Sequence, residues 1–77
     1  MINELDMVVL TEDVSEHHLK AGDIGAVVLV HGDHIGYELE FVTLDGETIA
    51  VISVYPSQIR PIKEGEIAHV RTLLESA

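Results

Sequence analysis

One short loop carries the side chains with the clearest capacity for chemistry. His31, Asp33 and His34 lie close together in it, and imidazole with carboxylate can hold a first-row metal ion. The adjacent pair His17 and His18 adds imidazoles from another loop. However, no recognised ligand spacing is present, and a glycine-rich loop does not hold ligands firmly in place. We therefore expect a solvent-exposed loop, with no metal and no other cofactor.

Two carboxylates form the next candidate. Glu38 and Glu40 lie two residues apart, so in a strand they share one face and resemble the carboxylate pair of a glycosidase. A catalytic pair also needs a cleft that perturbs its pKa values, and a filled domain of 77 residues has little room for one. No serine lies in a recognisable triad or nucleophile-elbow context, and no phosphate-binding loop occurs. We expect a solvated strand face and no enzyme activity.

A β-hairpin positions these carboxylates. Residues 37–41 alternate strictly between large apolar and acidic side chains, which predicts a strand with one buried face. Asp45-Gly46 follows, and Asp-Gly between two β-type runs favours a two-residue type I′ turn. Residues 47–54 then form the returning strand.

The turn predicts a strand register. Directly opposed residues share a face, and the predicted core pairs are Tyr37–Val54, Leu39–Ile52 and Phe41–Ala50, with Leu44 opposite Glu47 next to the turn. The opposite face holds Glu38, Glu40 and Val42 across from Ser53, Val51 and Ile49. That face is mixed rather than fully polar.

The remaining elements are shorter. Residues 5–11, 24–31 and 59–62 read as strands, with Gly25 predicting a bulge or bend and Pro61 confining the last strand to an edge. In the tail, Ile67, Val70 and Leu74 recur at helical spacing, which predicts a short helix. Such a helix must pack, either on the outer face of the hairpin or on a partner.

The order of these elements resembles a small SH3-like barrel. Residues 19–27, with Gly22-Asp23 at a turn, resemble the start of strand two in KOW-type barrels. The chain from Glu4 to His69 is similar to a bacterial family, domain of unknown function 4926, at residues 5–10, 19–25, 37–41, 45–46 and 57–61. The fold expected is all-β: a small five-stranded SH3-like barrel over residues 1–62, with a short C-terminal helix or extension over 63–77. The resemblance implies no activity and no site residues.

Charge narrows the classes of function. Lys and Arg number 4 against 14 Asp and Glu, a formal net charge of −10. This acidity opposes binding to a phosphate backbone, although SH3-like barrels often bind RNA. No apolar run is long enough to span a bilayer, and with no Cys the chain has neither disulfides nor thiolate sites. We expect a cytoplasmic bacterial protein.

An acidic surface with an apolar centre suits a basic protein partner. The candidate contact residues are Glu38, Glu40, Val42, Glu47, Ile49 and Val51. The favoured function is a non-enzymatic protein-binding module, in a concrete form an immunity-type or antitoxin-type partner of a basic toxin. Alternatives are an accessory or regulatory subunit of a larger enzyme and, more remotely, an RNA-binding barrel. If the tail is exposed, a homodimer that buries it is a further expectation.

Overall fold

A computed structural model describes residues 1–73. Its five strands are β1 (Met7–Leu10), β2 (Ile24–His31), β3 (Gly36–Val42), β4 (Thr48–Val54) and β5 (Ile59–Pro61). Short 3₁₀ helices at Ser15–His17 and Pro56–Gln58 are the only helical elements of the described chain. Among residues 1–73, no helix has the length and apolar character needed to cross a membrane.

The strands form one antiparallel sheet in the order β4-β3-β2-β1-β5. The predicted all-β class with five strands is confirmed, but the sheet is open rather than closed into a barrel. β4 and β5 are its two edges. β5 has only three residues, and its last residue, Pro61, has no N–H to donate. It therefore does not extend the sheet to meet β4.

The hairpin register is confirmed in its central part and corrected near its turn. Tyr37, Leu39 and Phe41 lie opposite Val54, Ile52 and Ala50 as predicted. Val42 then pairs with Thr48 rather than Ile49. Ile49 is therefore the extra residue of a β-bulge, which bends an edge strand locally.

The turn of this hairpin also differs from the prediction. Thr43 N–H donates to Glu47 O at 2.8 Å and Gly46 N–H donates to Thr43 O at 2.9 Å, so the loop is the three residues 44–46. Gly46 has φ +95, whereas Asp45 is not among the positive-φ residues. A type I′ turn requires positive φ at both central positions, and the three-residue loop needs it only at its glycine.

Gly25 is explained by packing rather than by a bulge. It pairs regularly with Val8, and a Cβ built on it would lie 2.8 Å from the ring of Phe41. The irregularity of β2 instead falls between Val27 and Leu29. A glycine in a strand interior here marks a close approach of a side chain.

The core lies on one side of the sheet and contains only apolar and aromatic side chains among the described residues. One contribution comes from the long first loop, where Leu19 is 2% exposed and its segment bridges to Val14. The cluster comprises Val8, Leu10, Leu19, Val27, Tyr37, Leu39, Phe41, Ile52, Val54 and Ile59.

The predicted tail helix is absent from the described residues. The C-terminal segment, here residues 62–73, is irregular, and Ile67 is 92% exposed; Leu74 of the predicted apolar stripe lies outside the described chain. Glu66 accepts hydrogen bonds from both terminal nitrogens of Arg60 and from Lys63 N–H. These hydrogen bonds to the sheet and to the segment's own backbone are present in place of the main-chain hydrogen bonds of a helix.

The same segment crosses the sheet next to β5. Arg71 Nε donates to Asp23 Oδ1 at 2.9 Å, and its Nη2 donates to His18 O at 3.0 Å. Because Asp23 directly precedes β2 and Arg60 lies in β5, the segment must pass β1 between them. Val9 lies on that side of β1 and is buried without belonging to the core cluster, so we attribute its burial to this crossing.

Candidate protein-docking surface

The strand pairing assembles one continuous surface on the side of the sheet opposite the core. Met7 pairs with Ala26, Ala26 with Glu40 and Glu40 with Val51, so the row spans four strands on one face. A second row runs from Leu29 through Glu38 to Ser53. We call the surface made by these rows and Val42 the outer face: Met7, Ala26, Leu29, Glu38, Glu40, Val42, Val51 and Ser53.

The apolar members of the outer face are substantially exposed. Met7, Leu29, Val42 and Val51 are 48%, 44%, 52% and 55% exposed. The described C-terminal segment binds at Arg60, Asp23 and His18 instead, so it leaves the hairpin side of this face uncovered. The expectation that the tail would pack on the outer face of the hairpin is not met over residues 62–73.

The carboxylates of the outer face are held in place. Glu38 Oε2 lies 2.6 Å from His31 Nε2 and also accepts a hydrogen bond from Ser53 Oγ. The hydrogen bond with His31, and then that from Ser53, lowers the pKa of Glu38 below its usual value. Glu40 accepts a hydrogen bond from Thr48 Oγ1 at 2.9 Å. Both acids therefore present oriented negative charge.

Most of the sequence-predicted contact residues come together. Glu38, Glu40, Val42 and Val51 share the outer face, and Glu47 is exposed beside the hairpin turn. Ile49 was predicted to share this face but packs against the core cluster. The bulge is the reason, because Ile49 is the extra residue and falls out of the alternation that Ala50 to Val54 keep.

The histidine loop does not gather its candidate ligands. His31 is engaged with Glu38, whereas both ring nitrogens of His34 are buried without a hydrogen-bond partner in the described chain. The His34 ring meets Tyr37 edge to face, with centroids 6.2 Å apart. Within residues 1–73 no three His, Asp or Glu side chains are grouped to hold a metal ion.

A second feature was missed from the sequence. An open groove of about 310 Å³ runs beside β4 and is lined by Val14, Glu16, His17, Val51, Ile52, Ser53, Val54 and Gln58. We call it the edge groove. Its walls come from the first loop, the β4 edge and the turn before β5, and no local sequence pattern signals that these three segments meet.

Comparison with known proteins adds the family. The family model described as Domain of unknown function (DUF4926) matches residues 4–61. Neither the curated proteins nor the solved structures yield a match. The matched region includes all five strands and the whole outer face. The chain therefore belongs to the DUF4926 family, as its strand pattern and its Asp45-Gly46 hairpin suggested.

Proposed function

We propose that this chain is a non-enzymatic protein-binding module whose outer face docks on a basic protein. The observation that carries the proposal is the uncovered row of Met7, Ala26, Glu40 and Val51, which combines exposed apolar surface with a fixed carboxylate. Exposed apolar area rimmed by polar groups is typical of interaction sites.

Electrostatics favour a basic partner. The formal net charge is −10, and opposite charge accelerates encounter while an apolar centre slows dissociation. Two of the four basic side chains, Arg60 and Arg71, are already paired with Glu66 and Asp23. Little positive charge remains for a phosphate backbone, so the RNA-binding alternative gains no support.

A concrete form of the proposal is an immunity-type or antitoxin-type protein of the bacterial cytoplasm that masks a basic toxin surface. The alternative is an accessory subunit of a larger enzyme. The neighbouring gene separates them: a basic, nuclease-like product favours the first, and a metabolic operon favours the second.

The test is direct binding between the purified chain and the product of the neighbouring gene. Titration calorimetry at two salt concentrations is compared for wild type, Glu40→Lys and the matched control Glu64→Lys. Both variants change the charge equally, but Glu64 lies in the exposed C-terminal segment. We expect Glu40→Lys to weaken binding about tenfold or more, because like charge opposed across an interface is strongly unfavourable.

The control should change binding by no more than about twofold, through net charge alone. Equal weakening by both variants would mean that the contact is unspecific attraction, and no binding to a basic neighbour would remove the immunity-type form. If the neighbouring genes form a metabolic operon, cross-linking of this chain to an enzyme encoded there would favour the accessory-subunit form instead.

A further inference from the structure

The exposed edge of β4 carries unpaired hydrogen-bonding groups. β4 pairs only with β3 among the described strands, so every second residue directs its N–H and C=O away from the sheet. No other main-chain hydrogen bond of the described residues ends on Thr48–Val54. Such a row is a template for an added strand.

The usual devices that block an edge are absent from the second half of β4. Proteins protect an edge with prolines, lysines, bulges or a covering segment. The bulge at Ile49 disturbs only the beginning of the strand, and regular pairing runs from Ala50 to Val54. Thr48–Val54 contains no proline and no lysine.

The edge groove lies next to these unpaired groups and has a definite charge. Glu16 lines it, and Gln58, another lining residue, hydrogen-bonds Glu12 at 3.3 Å. Ser53 on its β4 wall hydrogen-bonds Glu38. No lysine or arginine is among its described lining residues. An extended segment placed along β4 would therefore meet the carboxylate of Glu16, with those of Glu12 and Glu38 one hydrogen bond behind the lining.

We propose that β4 accepts an extended, lysine- or arginine-containing segment of a partner protein as a sixth strand, which occupies the edge groove. Main-chain hydrogen bonds would supply affinity, and alternate side chains would supply specificity. A second copy of this chain is the wrong occupant, since each copy carries −10. The inference goes beyond the proposed function, because it uses the backbone of an edge rather than the outer face.

The test uses the full chain, ¹⁵N-labelled, and a capped peptide that alternates lysine and valine. Amide exchange and chemical shifts are followed by NMR at low ionic strength. A second peptide of the same sequence carries N-methyl groups on every other residue, which removes the hydrogen bonds of one strand edge and keeps the charge. We expect slowed exchange within Ala50–Val54 with the first peptide and about tenfold weaker binding of the second.

Two charge variants test the groove itself. Glu16→Lys should weaken binding of the first peptide about tenfold, whereas Glu64→Lys, with the same charge change at an exposed site outside the groove, should change it about twofold or less. Equal affinity of the two peptides would overturn the inference, as would protection appearing at β5 instead of β4. A dimer in sedimentation whose β4 amides are protected from exchange without any peptide would also overturn it.

The result is separable from the proposed function. A peptide that binds the outer face loses affinity with Glu40→Lys and is indifferent to N-methylation, which contradicts the edge inference alone. Addition of the peptide to β4, with no basic protein bound by the outer face, contradicts the proposed function alone.

Discussion

The two edges of the sheet end in opposite ways. β5 is three residues long, ends at Pro61 and is followed by a C-terminal segment fastened through Arg60–Glu66 and Arg71–Asp23. β4 is seven residues long, and no other backbone of the described chain pairs with its outer side. One edge is short, ends in a proline and is flanked by an ion-paired segment, whereas the other is longer and open to solvent.

This difference separates stability from binding. At β5, Ile59 is buried in the core cluster and the C-terminal segment adds ion pairs over β1 and β5. At β4, buried Ile52 and Val54 alternate with exposed Val51 and Ser53. The β5 side thus contributes mainly intramolecular contacts, whereas half of β4 faces solvent and is available for a partner.

The largest expected effect is at the β5 edge. Ile59→Ala should lower the free energy of unfolding by about 2–5 kcal/mol, because it removes buried methylenes and leaves a cavity. Ile59→Val is the graded control, expected to cost about 0.5–1.5 kcal/mol. Urea unfolding followed by circular dichroism measures both. A loss below about 1 kcal/mol for Ile59→Ala, outside the usual range for such cavities, would mean that β5 is not anchored in the core.

Removing the ion pair between Arg71 and Asp23 should have a smaller effect on stability. Arg71→Ala should cost about 1–2 kcal/mol, because it removes charge-assisted hydrogen bonds to Asp23. Burial raises the pKa of Asp23, but hydrogen bonds from Arg71 and Lys20 N–H outweigh it and the pKa lies below its ordinary value. NMR titration of Asp23 should show that pKa rising in the variant. An unchanged pKa would contradict the pairing.

Acid should loosen the same edge through Glu66. The hydrogen bond from Arg60 holds the pKa of Glu66 at about 2, below its usual value of 4.5. Between these values the folded chain keeps Glu66 ionised while the unfolded chain binds a proton, so stability from this pair is present above pH 4.5 and lost as pH falls towards 2. In Glu66→Gln that part of the acid sensitivity should vanish. Urea unfolding curves between pH 2 and pH 4.5 measure this pH dependence for both proteins. The same pH dependence in wild type and Glu66→Gln would refute the prediction.

The smallest effect on stability is expected at the open edge. Val51→Thr keeps a β-branched residue at a solvent-exposed position, so unfolding should change by less than about 0.5 kcal/mol. Binding of a basic partner should still weaken, because Val51 belongs both to the outer face and to the edge groove. Thermal unfolding measures the stability of the variant, and titration calorimetry on the same preparation measures its binding of the partner. A large loss of stability would show that β4 contributes to folding as β5 does.

The centre of the hairpin was predictable because its signals are local. Strict alternation over Tyr37–Phe41 identifies the buried face, and the pairing of Leu39 with Ile52 follows from it. The turn itself was not, since Asp45-Gly46 satisfies a two-residue loop and a three-residue loop alike. That ambiguity of one residue placed Ile49 on the wrong face.

The tail and the edge groove were beyond local reasoning. Helical spacing in Ile67 and Val70 is outweighed by hydrogen bonds of Arg71 to Asp23, 48 residues earlier in the chain. The edge groove likewise joins Glu16 to Val51. Contacts of this range depend on how the sheet folds, and a periodic pattern carries no information about them.

The position of β1 has a consequence for synthesis of the protein. β1 lies between β2 and β5, so one of its neighbours is made soon after it and the other only after β3 and β4. Non-local pairing of this kind forms late, because a long loop must close first. We therefore expect the nascent chain to assemble β1 to β4 first, and to complete its sheet only when β5 leaves the ribosome.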